Sequence, residues 1–268
     1  MRSLILAAVL VGVVSSPLLF AQWDPRAAPG VPRDAKGEPD LNGPVPKTAD
    51  GKPDLSGVWR GFGNTPGAQA AAETPSGPPV AGFRDVAQNI KEGLPLKPEG
   101  AALLKERRDN NSKDNPEAHC LPMGIVQFHT QGAPRKFVQT PKLLVILYEA
   151  SSGIRQIFMD GRKAPTGDPQ PWYYGYSTGR WEGDTLVVES THMREDGWLD
   201  IIGSPLTDAA TLTERIRRPT YGRMTIDVTV NDPKAYTKPW TVRVNQRIMP
   251  EQEIIEFICE ENQRFGKQ

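Results

Sequence analysis

Hydrophobic and polar positions alternate over much of the second half of the chain. Met224, Ile226, Val228 and Val230 interleave with Thr225, Asp227 and Thr229, and Trp240, Val242, Val244 and Ile248 interleave with Thr241, Arg243, Asn245 and Arg247. A period of two sets one face of a strand on a core and the other in water. Leu143 to Tyr148 is apolar throughout, which fits a strand buried on both faces or a hairpin partner under a cover. Shorter strand-like runs cover Ile154 to Met159, Trp172 to Trp181, Thr185 to Thr191, Leu212 to Arg218 and Ile254 to Cys259. Asp160-Gly161 and Glu182-Gly183-Asp184 punctuate them as hairpin-type turns. With Gly57-Val58-Trp59 as the first strand, about eight more follow at short spacing. The pattern predicts a mainly β chain: an antiparallel β-barrel or strongly curved sandwich.

The front of the chain reads differently. Met1-Arg2-Ser3 carries a positive charge, Leu4 to Val14 is uncharged and apolar, and a small residue stands at Ala21. The apolar run is too short to span a bilayer and has the layout of a secretory signal peptide over residues 1–21. Residues 22–53 form a Pro-rich arm. Within it Ala35-Lys36-Gly37-Glu38-Pro39-Asp40-Leu41-Asn42-Gly43 recurs, offset by fourteen, as Ala49-Asp50-Gly51-Lys52-Pro53-Asp54-Leu55-Ser56-Gly57. Gly-x-Pro-Asp reads as a turn feeding an extended segment. Two short helices are expected in an insertion over about residues 83–108 of a single domain spanning 54–268. Phe83 to Glu92 has Val86 and Ile90 four apart, and Pro98 to Arg108 opens on proline, carries Leu103 and Leu104 and ends basic.

Composition narrows the possibilities. The chain has 268 residues, 32 Lys and Arg against 32 Asp and Glu, and 26 Pro. Zero formal charge offers no electrostatic footprint for nucleic acid. Proline at about twice its average usage argues against a helical bundle. Export would place Cys120 and Cys259, the two cysteines, where disulfides persist, and one pairing is possible. Neither a phosphate loop nor a Gly-rich dinucleotide turn occurs, so no cofactor is implied. His119, His129 and His192 are too scattered to read as a metal site, and no metal is expected.

Four segments carry a resemblance. Gly51-Lys52-Pro53-Asp54-Leu55-Ser56-Gly57-Val58-Trp59, Gly179-Arg180-Trp181-Glu182-Gly183-Asp184-Thr185-Leu186-Val187-Val188-Glu189, Thr213-Glu214-Arg215 and Asp232-Pro233-Lys234-Ala235-Tyr236-Thr237-Lys238-Pro239-Trp240 together resemble a family of exported bacterial proteins frequent in soil and water. The resemblance covers about residues 48–262. It implies export and a β-rich domain and lends no catalytic residue. Gly57-Val58-Trp59 is also similar to the first strand of lipocalins and their calycin relatives, whose Trp closes one barrel end against a late Arg. Arg243 or Arg247 would take that part here.

Charge on an apolar face is the informative signal for a site. Glu214 shares parity with Leu212 and Ile216, Arg155 with Ile157 and Met159, and Glu189 with Val187. Placed around one cavity, these three would serve acid–base chemistry or grip a polar ligand group, a desolvated carboxylate having a raised pKa. A structural ion pair is the competing reading. Asp160 and Arg162 would reach a ligand from the barrel rim. Trp172, Tyr174, Tyr176 and Trp181 would stack a sugar or phenolic ring, or serve as core. Three functions are compatible with this set: a periplasmic or secreted barrel binding a small, partly apolar molecule; a hydrolase, lyase or isomerase acting on a carbohydrate or aromatic compound; and an envelope protein whose arm engages a partner. No stable membrane insertion is expected once the signal is removed.

Overall fold

A computed structural model describes residues 30–62, 77–167 and 169–259. The expected signal segment 1–21 and the first residues of the arm lie outside the described residues. Nine strands close into a barrel. They are β1 (Gly57–Gly61), β2 (Arg135–Gln139), β3 (Leu143–Tyr148), β4 (Ile154–Phe158), β5 (Tyr176–Glu182), β6 (Thr185–Thr191), β9 (Thr211–Thr220), β10 (Arg223–Asn231) and β11 (Trp240–Ile248). The short pair β7 (Gly197–Trp198) and β8 (Pro205–Leu206) forms a separate ribbon. Around the wall the order is β1, β11, β10, β9, β6, β5, β4, β3, β2, with β1 and β2 pairing to close it. The period-two residues fall as the sequence predicts. Leu212, Glu214 and Ile216 on β9 face inward, as do Met224, Ile226, Val228 and Val230 on β10.

Closure explains two departures from the sequence reading. Ile254 to Cys259 is not a strand, because β1 and β2 satisfy each other and no sheet edge remains to receive it. The tail runs along the outside instead. The Glu149 carboxylate accepts from the Ile255 N–H at 3.1 Å, and the Cys120–Cys259 disulfide ties down its end. Asp160-Gly161 does turn, with Gly161 at φ 81°, but it opens no hairpin. β4 and β5 run parallel through only two residue pairs, Ile157 with Ser177 and Phe158 with Thr178. A parallel pair needs a long connection, which residues 159–175 supply.

Among the described residues the two α-helices are α1 (Pro98–Asp109) and α2 (Ile125–Thr130). α1 begins on Pro98 and carries Arg107 and Arg108 in its last turn, as its sequence signals. Residues 83–92 form turns rather than a helix. Asp85 accepts from the Ala87 N–H, and Asp200 takes the Val86 N–H at 2.9 Å, diverting donors that a helix would use internally. α2 is buried at every residue. Gly124 lets it approach β7: a Cβ there would fall 2.0 Å from the Trp198 carbonyl oxygen. Arg135 satisfies its C-terminal end, donating to the carbonyls of His129 at 2.9 Å and Gln131 at 2.7 Å. Among the described residues no helix is long and apolar enough to cross a membrane.

The arm lies on the barrel, and its repeated frame folds the same way twice. Asp34 N–H donates to the Glu38 carbonyl and Asp40 N–H to Pro32; fourteen residues on, Thr48 donates to Lys52 and Asp54 to Pro46, all at 2.8–2.9 Å. The glycine at each tip, Gly37 and Gly51, has positive φ. The first hairpin docks on the β9–β10 turn through Gly222 N–H to Leu41 O at 2.8 Å. The second delivers Leu55 to the barrel floor, where the Gln139 side chain accepts the Leu55 N–H at 2.8 Å. Trp59 Nε1 donates to Leu55 O at 3.0 Å, and the guanidinium lying over the Trp59 ring, at 4.9 Å, belongs to Arg218. Neither Arg243 nor Arg247 plays that part. Their positions on β11 point outward, Arg243 to Asp227 and Arg247 to the Phe62 ring.

Candidate functional site

Two groups of residues stand out, one inside the wall and one outside it, on either side of β4 and β5. The inner group begins with Glu214, whose neighbours across both adjoining strands are Val188 and Val228. A carboxylate among valines must be paired or neutral. It is paired: Arg155 Nη1 donates to Glu214 Oε1 at 3.1 Å, and Nη2 donates to Oε2. Arg155 Nη2 also reaches Ser190 Oγ at 2.9 Å, and Nε reaches Ser177 Oγ at 3.3 Å. His129, on α2, places Nε2 2.8 Å from Glu214 Oε1. None of Arg155, Glu214 and His129 is more than 1% exposed.

The sequence reading expects a raised carboxyl pKa here, and the structure reverses it. Burial pushes Glu214 up, but the Arg155 charge and the bonds from His129 and Arg155 outweigh it and hold the carboxyl at about 2, against an ordinary 4.5. Burial drives His129 below its ordinary 6.5 despite the pull of Glu214, so the ring is neutral near pH 7. A carboxylate only accepts, so Nε2 carries the proton and Nδ1 keeps a lone pair. That Nδ1 has no partner among the described residues, nor have the hydroxyls of Tyr148 and Tyr174 or Nε of Arg135. Tyr148 stacks on Phe128 at 4.3 Å, and Tyr174 lies 5.6 Å from Tyr148. Gly153 makes room for it, since a Cβ there would meet the Tyr174 hydroxyl at 2.2 Å.

An acid-stability profile follows. Both shifts depress the folded-state pKa, so stability present at neutral pH is lost on acidification. His129 contributes a loss that starts as pH falls through about 6.5, where the unfolded imidazole takes up a proton. Glu214 contributes a second loss, on the order of 3 kcal/mol, between about pH 4.5 and 2. Urea midpoints measured from pH 7 to pH 3 check this. A Glu214→Met/Arg155→Met double variant should lack the lower step, and an identical profile in that variant would refute the assignment.

The outer group is a continuous, partly exposed strip. Arg162 grips the Asp160 carboxylate, with Nη2 2.7 Å from Oδ2, and lies 4.1 Å over the Phe158 ring. Phe158 stacks on Tyr176 at 5.2 Å, Trp172 tilts against Tyr176 at 5.4 Å, and His192 meets Trp172 edge-on at 6.2 Å. Trp172 is 39% exposed. The strip covers the β4–β5 seam, where the wall has its fewest pairings, and Ser177 and Arg155 lie directly behind it.

Of the residues singled out from the sequence, Arg155 and Glu214 are thus in contact. Glu189 is not with them: it faces outward and exposed, opposite Thr178 and Thr213. Its parity partner Val187 misleads because Val187 also points outward yet is buried. Asp160, Arg162, Trp172 and Tyr176 share the strip. Tyr174 belongs to the inner aromatic group, and Trp181 packs against the core. His129 is the participant that sequence reasoning missed. Its one signal is its place at the end of the apolar stretch from Met123 to Phe128, which Gln127 alone interrupts with a polar side chain. Among the described residues no three His, Cys, Asp or Glu side chains gather to hold a metal. No family model matches the chain, and neither a curated protein nor a solved structure matches it.

Proposed function

We propose that this is an exported β-barrel protein that binds a small, partly apolar molecule at the β4–β5 seam. The observation that carries the reading is the strip itself: Tyr176 packed between Phe158 and the exposed Trp172, flanked by an Arg–Asp pair and an imidazole, on the outer wall. Flat rings with polar edges suit a phenolic or sugar ring, stacked on Trp172 and Tyr176 and hydrogen-bonded at its rim by Arg162 and Asp160. The Cys120–Cys259 disulfide and the apolar leader support an oxidising, extracytoplasmic setting.

Native mass spectrometry after incubation with a metabolite extract tests the proposal. The wild-type protein should retain a small-molecule adduct, and Trp172→Ala/Tyr176→Ala should lose it while keeping a native far-UV circular dichroism spectrum. An adduct equally abundant in both proteins, or none in the wild type, would reject the seam as the site.

A second reading, acid–base catalysis as in a hydrolase, lyase or isomerase, draws its support from His129. Glu214, ionised and chelated by Arg155, is a poor proton donor and a weak base at neutral pH. The unpartnered His129 Nδ1, with its tautomer fixed by Glu214, is the group in the cluster able to accept a proton.

A further inference from the structure

A third feature lies elsewhere on the wall and is independent of the seam. Arg60 of β1 stands directly opposite Arg247 of β11. Residues so paired have Cβ atoms about 5 Å apart, and like charges in that position repel. The Phe62 ring lies 5.5 Å from the guanidinium carbon of Arg247, which offsets part of the cost. Among the described residues, Glu251 near this groove is paired with Arg33, while Glu38 lines the groove itself.

Arg60 and Arg247 line a groove of about 320 Å³. Its other walls include Pro39, Leu41, Met249 and Gln252, with Glu38 at the same site. That size is at the lower end for small-molecule sites, about 300–1,000 Å³. The groove also accounts for the duplicated hairpin. The second copy seals the barrel floor, whereas the first supplies Glu38, Pro39 and Leu41 to this wall. Repulsion built into the wall beside an apolar surface is what an anion with an apolar body would relieve.

We propose that this groove binds a small organic acid, its carboxylate, sulfate or phosphate-ester oxygens held between Arg60 and Arg247 and its apolar body laid against Leu41 and Met249. Calorimetric titration at low ionic strength with phenyl phosphate, phenylacetate, inorganic phosphate and benzyl alcohol tests it. One-to-one, salt-sensitive binding is expected for phenyl phosphate or phenylacetate, weaker binding for inorganic phosphate, and none for benzyl alcohol. Arg247→Gln should weaken binding at least tenfold and, by relieving repulsion, raise the melting temperature of the free protein at low salt. If Arg247→Gln melts lower instead, Arg60→Gln, which leaves Phe62 alone, decides. Unchanged affinity in Arg60→Gln, or no saturable binding of either aromatic acid by the wild type, would overturn the proposal.

Discussion

Replacing Glu214 by glutamine is expected to destabilise the protein by about 3–5 kcal/mol, because it leaves the Arg155 charge buried without its counter-ion. For a domain of this size that lowers the melting temperature by roughly 10 °C. Ser177 and Ser190 remain as acceptors for Arg155, but hydroxyls carry no charge to match a guanidinium. His129 loses its carboxylate partner in the same step. Removing both charges as Glu214→Met/Arg155→Met should be far milder, neutral within about 1–2 kcal/mol, since apolar side chains of similar volume avoid desolvating either ion. Chemical denaturation of the two singles and the double gives the coupling energy directly. A Glu214→Gln protein as stable as the wild type would mean that the pair does not hold the barrel centre together. Loss of any turnover in the single variant counts as loss of catalysis only where its near-UV circular dichroism stays native.

The second large effect is expected from the disulfide. Cys120 and Cys259 are 139 residues apart, so the bond closes a loop around most of the barrel. The chain-entropy account puts its contribution at up to about 5 kcal/mol, acting on the unfolded chain. The folded barrel barely relies on it: the tail it anchors sits outside the closed sheet, held by single contacts such as Ser152 Oγ to Phe257 O. A Cys120→Ser/Cys259→Ser protein should therefore keep the far-UV spectrum of the wild type yet unfold at a markedly lower urea concentration. Equal midpoints for oxidised, reduced and Ser-substituted protein would contradict the entropic argument.

The fold was legible where each strand has one wet face. Met224 to Val230 and Trp240 to Ile248 show their period because solvent selects every second residue. Three features escaped for physical reasons. α2 has only six residues, all of them buried, so no polar side of a helix exists to mark its turn. The parallel β4–β5 pairing escaped because Asp160-Gly161 encodes a turn without encoding where the chain goes next. The fate of Ile254 to Cys259 depends on β1 meeting β2, a property of the whole barrel that no window of sequence contains. The site divides similarly. Arg155 and Glu214 could be read from parity, as charges in step with Ile157, Leu212 and Ile216. Glu189 could not, because both faces of β6 are partly covered. His129 reaches Glu214 from a helix 85 positions away.

The twin hairpins of the arm pose a recognition problem for the folding chain, which has two nearly interchangeable segments and one berth in the closing strand. Position 58, fourteen residues after Pro44, is Val58, paired with Lys136 in the wall. Proline has no N–H to contribute to a ladder. Pro46 likewise stands fourteen residues before Arg60, which pairs with Arg247, so the nearest competing alignment, a slip by one whole repeat, is barred by two imino acids.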